Sequence, residues 1–305
     1  MDLLPIKARI TKYQSGQALL LVLLSMAVVL TVVLSVLSRT ITDITVTTKE
    51  EEALRAFAAA EAGIERALII GSNIGEFEDG ASFTATISNF GQQQTEYIYP
   101  EKLLSGETAI VWFIDHDEDD GALTCGTGEC FTGSLINLCW GEPGTASDSN
   151  FTPAIEASIF YATTPGDYSS IQIAREAVDP NTTRRSVNAF SATDAGTCTI
   201  GDTDFQFQTL LDFASLGIPP ASYNTQNGLQ FAKIRILYNT DMAQTLGVDT
   251  APSGLAGNNL PSQGVRIESA GSSGEANRRI EVYQTFGELP PIFDAVLFSP
   301  GGIVK

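Results

Sequence analysis

The sequence predicts an α+β fold in which a long N-terminal helix crosses a membrane, continues as a stalk and packs on an antiparallel β-rich head. Three observations predict it. Residues 18–37 form a run of 20 residues without a charged side chain. A segment rich in strong helix formers follows at residues 49–70. From Ser72 onward, short apolar runs with an alternating pattern are typical of strands.

Residues 18–37 are long enough to cross a membrane as a helix. At 1.5 Å per residue they span about 30 Å, which is the thickness of the hydrocarbon core. The polar residues in the run are Ser25, Thr31 and Ser35, whose hydroxyls can bond to helix carbonyls in lipid. A cleaved secretory signal has a shorter apolar core and a small-residue cleavage site behind it. Because no such site follows residue 37, we expect the span to remain as an anchor.

The charges on either side of the span predict its orientation. Lys7, Arg9 and Lys12 precede it, whereas Asp43 and the glutamates at 50–52 follow it. Basic residues are enriched on the cytoplasmic side of membrane spans. We therefore predict a single-pass protein of the cytoplasmic (inner) membrane, with its N-terminus inside and its head outside.

The stalk is predicted to continue the same helix to Ile70, with Gly71 as a C-cap. The β-branched residues at 41–48 lower helix propensity and predict a weak point or bend. Beyond it, four large apolar residues recur on one helical face and predict the surface that packs on the head: Leu54, Phe57, Ile64 and Leu68. Glu61 lies within this stripe. It either reaches a head-domain donor or solvent, or contacts the helix of a neighbouring subunit.

Five segments of the head have strand patterns. They are residues 82–88, 108–115, 154–163, 231–238 and 264–283, the last as a hairpin. Residues 247–264 are rich in Gly, Pro, Asn and Ser, which predicts a long exposed loop. Residues 288–305 are predicted to form a packed tail.

Composition limits the classes of partner. The formal net charge of −19 disfavours a nucleic acid, because phosphate binding needs clustered Lys and Arg. The four cysteines all follow the span, and they are Cys125, Cys130, Cys139 and Cys198. An even number in an exported domain predicts two disulfides rather than free thiols or a zinc site. The three pairings stay open, and a bond from Cys130 or Cys139 to Cys198 would contribute about 2–4 kcal/mol by closing a long loop.

Residues 115–121 are the densest charge cluster. The carboxylates of Asp115, Asp117 and Asp119, with Asp120 next to them, resemble the start of a calcium-binding loop. However, glycine falls at the seventh position rather than the sixth, and the twelfth position is Gly126 rather than Glu. The segment is therefore either a calcium site or a solvated acidic turn, and the turn is the favoured alternative. Calcium is the one cofactor that the sequence suggests.

The single histidine, His116, lies in this cluster. A Ser–His or Cys–His catalytic pair would have to use it. The sequence contains no G-x-S-x-G, P-loop or H-E-x-x-H motif. We predict a surface histidine and a protein that is not an enzyme.

Three features of the first 70 residues together resemble a known family. A short basic leader ends at Gly16, an apolar helix follows directly, and the sequence AFAAAEAGIERA occupies residues 56–67. This combination resembles the minor pilins of the PilX kind, which belong to type IV pilus and type II secretion systems. The resemblance implies a pilin-like fold, divided into a leader (1–16), a transmembrane helix (17–38), a stalk helix (39–71) and an exported head (72–305).

The same resemblance implies processing and partners. A prepilin peptidase would cut between Gly16 and Gln17, after which the new amino terminus is usually methylated. The other implied partners are pilin subunits and the inner-membrane assembly platform. Pilins usually begin with Phe or Met and have Glu at the fifth mature position, where its carboxylate neutralises the amino terminus of an adjacent subunit. This chain has Gln17 and Leu21 there, which implies a minor subunit rather than the main filament component.

The predicted function is therefore a minor pilin-like subunit that incorporates into, or primes, a type IV pilus or a related pseudopilus. The alternative is a single-pass, membrane-anchored adhesin or ligand-binding protein that does not assemble into filaments. Cleavage at Gly16 separates the two, because only the first requires it.

Overall fold

A computed structural model describes residues 17–77, 80–117, 121–125, 130–252 and 258–287. The chain divides into two compact units. The first contains Met1–Thr86 and Ser269–Ile280, and the second contains Ile87–Glu268 and Glu281–Lys305.

Within these described ranges the chain forms three α-helices and sixteen strands. The helices are α1 (Gln17–Ile70), α2 (Thr182–Asn188) and α3 (Pro220–Asn224), with a 3-10 turn at Tyr168–Ser170. The strands are β1 (Asn73–Glu76), β2 (Ser82–Phe90), β3 (Glu96–Ile98), β4 (Thr108–Trp112), β5 (Asp115–His116), β6 (Leu123–Thr124), β7 (Leu135–Trp140), β8 (Ala154–Ala162), β9 (Ile171–Val178), β10 (Cys198–Ile200), β11 (Thr203–Phe205), β12 (Phe207–Asp212), β13 (Leu229–Leu237), β14 (Leu246–Asp249), β15 (Gly264–Ser273) and β16 (Ala276–Thr285). The predicted α+β class, with a long apolar N-terminal helix and antiparallel sheets, is confirmed.

Helix α1 is continuous over 54 residues and is long and apolar enough to cross a membrane. The weak point expected at residues 41–48 does not interrupt it. The threonine hydroxyls there donate to carbonyls four residues earlier, as Thr45 does to Ile41 at 2.9 Å. The helix ends at the predicted cap, where the Gly71 N–H donates to the Ala67 carbonyl and Gly71 has a φ of +82°.

In the first unit, the C-terminal part of α1 packs on the sheet β1-β2-β15-β16 through small residues. The buried positions of this part are Ala56, Ala59, Ala60, Gly63, Ile64 and Ala67. A Cβ atom added to Gly63 would overlap Ser269 Oγ and would lie 2.9 Å from the Phe83 ring. Likewise, a Cβ atom on Gly271 would overlap the Ala56 carbonyl oxygen. At Gly271 the backbones of strand and helix approach closely, and at Gly63 the side chains of Ser269 and Phe83 fill the space, so glycine fits best at both positions.

We call this contact the small-residue interface: Ala56, Ala60, Gly63 and Ala67 on α1, and Ser269 and Gly271 on β15. It replaces the apolar stripe that the sequence predicts. Of that stripe only Ile64 is buried, while Leu54, Phe57 and Leu68 are 70%, 44% and 54% exposed. The prediction was wrong because periodicity was read from large side chains, whereas the side of α1 closest to β15 has room only for small ones.

The second unit contains two four-stranded antiparallel sheets, in the orders β12-β7-β14-β3 and β4-β13-β8-β9. Their facing sides share one apolar core, centred on large, fully buried rings such as Phe113, Phe131 and Trp140. The predicted run at residues 109–114 is buried throughout. The alternating residues of β8 point into the core as predicted, and they are Ile155, Ala157, Ile159 and Tyr161.

The chain differs from prediction at residues 247–264. The expected exposed loop instead contains β14, which lies between β7 and β3 in the sheet, and residues 260–264 are buried. Residues 253–257 lie outside the described part of the chain, as does the predicted tail at 288–305. The predicted hairpin at 264–283 is present as β15 and β16, which are joined at Gly274 and Glu275.

Substituting Gly63 with valine tests the small-residue interface. Valine is a better helix former than glycine, but its side chain would overlap Ser269 and Phe83. We therefore expect Gly63→Val to lower the free energy of unfolding by about 1–3 kcal/mol or more. Urea denaturation in detergent micelles, followed by circular dichroism, measures this change. The matched control is Ala58→Val on the exposed side of α1, and equal effects of the two variants would contradict the interface.

Candidate functional site

The candidate site is the side of α1 that the sheet β1-β2-β15-β16 leaves uncovered. All described side chains from residue 18 to residue 51 are exposed. Farther along, three large apolar residues and one carboxylate continue this exposure. We call them the outward face of the stalk: Leu54, Phe57, Glu61 and Leu68. Because the small-residue interface occupies the opposite side of the helix, this face cannot pack on the sheet that holds α1.

Glu61 lies among the apolar side chains of the outward face, and the exposed Glu65 follows it one turn later. No hydrogen bond or ion pair holds its carboxylate within the described part of the chain. The residues three and four positions away are Phe57, Ala58, Ile64 and Glu65, so no cation lies beside it on the helix. The nearby Arg66 turns towards the sheet, with its guanidinium 5.8 Å from the centre of the Phe83 ring. Glu61 is exposed to solvent, as one of its two predicted roles allows, and its contact with a neighbouring subunit stays a prediction.

The predicted leader cleavage site lies at the start of the described region. Gly16 is outside it, and Gln17 is the first residue of α1. Leu21, at the position where pilins have a glutamate, is 62% exposed on the helix surface. The structure therefore presents an apolar side chain at this position.

The acidic segment forms a hairpin. Strands β5 and β6 pair, and the Asp117 N–H donates to the Ala122 carbonyl at 2.8 Å. Of the four proposed calcium ligands, Asp115 and Asp117 lie in the described region, whereas Asp119 and Asp120 do not. Among the residues that the structure describes, no group of three or more His, Cys, Asp or Glu side chains is placed to hold a metal ion. The calcium site stays a prediction.

His116 is half-buried rather than a surface residue, which corrects the sequence prediction. Its ring stacks on Phe286 at 3.8 Å and meets the edge of Trp112 at 4.4 Å. Burial lowers the pKa of His116 to about 4, so the imidazole is neutral near pH 7. The sequence could not indicate this, because Phe286 lies 170 residues farther along the chain.

The cysteines form two disulfides, Cys125–Cys130 and Cys139–Cys198. None of the four is free, so none is available as a nucleophile or a zinc ligand. The first bond closes a short loop. The second spans 59 residues and joins β7 to β10, which selects the longer-range pairing among the alternatives that the sequence left open.

A buried ion pair that sequence reasoning missed lies in the second unit. Asp179 is fully buried, and Arg184 donates to its two carboxylate oxygens at 2.7 and 2.6 Å. The Asn181 N–H and the Asn188 amide also donate to Asp179, while the guanidinium lies 3.9 Å from the centre of the Tyr238 ring. Every partner comes from the fold itself, so the network is structural. Asn181 as N-cap of α2, directly after a proline, was the signal available in the sequence.

Comparison with known protein families finds no family that matches this chain. Comparison with curated proteins likewise finds no match. The functional conclusion therefore depends on the geometry of the chain and on the resemblance of its N-terminal segment.

The Asp179 network gives a pH-dependent prediction. Burial acts to raise the pKa of Asp179, but the hydrogen bonds from Arg184, Asn181 and Asn188 outweigh it, so its pKa lies below the ordinary value. The stabilisation is thus complete above about pH 4, the ordinary range of an aspartate, and is lost as pH falls through the lower folded-state pKa. We expect Asp179→Asn to remove this acid-dependent loss and to cost about 3–5 kcal/mol at pH 7, because it leaves Arg184 without its carboxylate.

Urea denaturation at a series of pH values measures both effects. The control is Glu156→Gln, which breaks the exposed pair between Glu156 and Arg175 at 4.0 Å and is expected to cost less than about 1 kcal/mol. Similar losses for both variants at pH 7 would show that the buried pair does not stabilise the fold.

Proposed function

We propose that this chain is a minor pilin-like subunit that incorporates into, or primes, a type IV pilus or a related pseudopilus. The observation that carries the proposal is the outward face of the stalk. The head is held through small residues, and the large apolar residues of the same helix segment are left for another partner.

Distance along the helix supports a protein partner over lipid. Leu54 and Leu68 follow residue 37 by 17 and 31 residues, which correspond to about 26 Å and about 46 Å along an α-helix. When residues 18–37 span a hydrocarbon core of about 30 Å, neither leucine is within that core. Their apolar surface therefore needs another protein surface to leave water, and a neighbouring helix of the same kind supplies one.

Glu61 supports the same partner class. It lies among the apolar residues of the outward face, and no Lys or Arg is three or four residues away from it on its own helix. A helix packed against this face would have to bring a cation or a hydrogen-bond donor to Glu61, because burying an unpaired carboxylate is costly. The outward face thus favours a partner helix that places a polar group opposite Glu61 over a partner that offers apolar surface alone.

Leu21 supports a minor role. A filament built mainly of this chain would contain no carboxylate at this position to neutralise amino termini within its apolar interior. A subunit that is present in few copies, or that starts assembly, does not need a carboxylate there to neutralise the amino terminus of an adjacent subunit. The proposed role is structural.

Processing and location of the chain test the proposal together. We expect intact-mass spectrometry of the chain from sheared filaments of its native host to give a mature start at Gln17, after removal of residues 1–16. A Gly16→Val variant should keep the full-length mass and be absent from the filaments, because the apolar helix would still carry its charged leader. Gln14→Ala, two residues before the cleavage site, is the control and should be processed normally.

An intact Met1 in the wild-type protein, with the chain confined to the membrane fraction, would contradict the proposal. That result would favour the membrane-anchored adhesin, which needs the same helix but no cleavage.

A further inference from the structure

The outer edge of β9 is an open strand edge. In the β8–β9 ladder, the Ala177 carbonyl and the Asp179 N–H point away from β8, because both bond to Ser191. Backbone groups of an antiparallel strand alternate in direction from one residue to the next. The N–H and C=O groups of Ile171, Ile173 and Arg175 therefore also point outward. No backbone hydrogen bond to these outward groups is present in the described part of the chain.

Two other strand edges in the second unit have a polar cover in the described part of the chain. At β4, the Gln263 amide accepts from the Trp112 N–H at 2.8 Å and donates to its carbonyl at 3.0 Å. At β12, the Asp194 N–H donates to the Gln208 carbonyl, and the Asp194 carboxylate accepts from the Leu210 N–H. Ser191 covers the C-terminal end of β9 itself. The first five residues of β9 lack such a cover.

The side chains at the open edge are apolar. Ile171 and Ile173 are 39% and 45% exposed, and Tyr168 at the preceding turn is 45% exposed. Ile173 lies directly opposite Phe160 in the ladder, so the apolar surface extends onto β8. Exposed edges are normally protected by lysine, proline or a bulge. An edge that is left both unpaired and apolar has the features of a strand-addition site.

We propose that this edge binds an extended segment of another protein by strand addition. The segment would have branched or aromatic apolar side chains at alternate positions and a carboxylate opposite Arg175. The apolar residues would cover Ile171 and Ile173. The carboxylate would pair with the guanidinium of Arg175, which is exposed and whose present partner, Glu156, is 4.0 Å away. The inference does not depend on filament assembly.

A second copy of the chain fits this edge less well. Antiparallel self-pairing centred on Ile173 places Ile171 of one copy opposite Arg175 of the other. The guanidinium would then face an isoleucine and gain no carboxylate. Charge complementarity therefore favours a different, acidic and apolar strand.

The test uses the full chain in detergent micelles and a fluorescein-labelled seven-residue peptide with aspartate at its second position, valine at its fourth and sixth positions and threonine elsewhere. In antiparallel pairing these three positions lie opposite Arg175, Ile173 and Ile171. We expect saturable binding by fluorescence anisotropy. Two further peptides are N-methylated at alternate amides. Methylation of the amides that face β9 should abolish binding, whereas methylation of the amides that face away should leave binding unchanged. This contrast isolates backbone pairing from apolar adsorption to the micelle, because both methylated peptides are equally apolar.

Substitution of Ile173 supplies the matched variants. Ile173→Pro removes an N–H that points away from β8 and is tolerated on a strand edge, so the fold should persist while affinity falls at least about tenfold. Ile173→Val keeps the N–H and should bind as wild type does. Arg175→Glu should reverse the preference from the aspartate peptide to a lysine peptide.

Three results would overturn the inference. Both N-methylated peptides could bind as well as the parent peptide, or Ile173→Pro could bind as Ile173→Val does. Alternatively, an Ile173→Cys variant could form disulfide-linked homodimers that exclude the peptide, which would make a second copy the occupant.

Discussion

The close approach of helix α1 to strand β15 is the constraint on which the rest of the structure depends. A Cβ atom on Gly271 would overlap the backbone of α1 at Ala56, and a Cβ atom on Gly63 would overlap the Ser269 side chain. This contact fixes which side of the helix faces the sheet. As a consequence, Phe57 and Leu68 point outward, although both are larger and more apolar than the residues that are buried. The stalk can therefore hold its head with one side and present an apolar surface with the other.

The second unit is stabilised by different means. Its two sheets share an apolar core, and the Cys139–Cys198 disulfide joins β7 to β10 across 59 residues. Two of its strand edges are covered by single polar groups, the Gln263 amide on Trp112 and Asp194 on β12. Such cover limits unwanted pairing between strands of neighbouring molecules. The start of β9 has no such group within the described region, and its apolar side chains make it a candidate for recognition.

Sequence reasoning predicted elements that depend on local patterns. Continuous apolarity at residues 18–37, the cap at Gly71 and the alternation in β8 were all read correctly, because each depends on neighbours within a few residues. It failed where distant residues decide the outcome. The burial of Ala60 instead of Phe57 depends on Gly271, and the environment of His116 depends on Phe286. For the candidate site, the sequence identified Glu61 from its place in the stripe. It could not show that the stripe points away from the sheet.

The most direct test of the close helix–sheet contact measures how fast introduced cysteines react at positions 56 and 57 and at positions 67 and 68. Each lipid nanodisc holds one chain, so that no second copy can cover the helix. The four native cysteines are in disulfides, so a maleimide reports only the introduced thiol. The account predicts that Phe57→Cys and Leu68→Cys react at least about tenfold faster than Ala56→Cys and Ala67→Cys, because a buried thiol reacts only when the contact opens. Equal or faster reaction at positions 56 and 67 would show that the small residues do not face the sheet and would contradict the account.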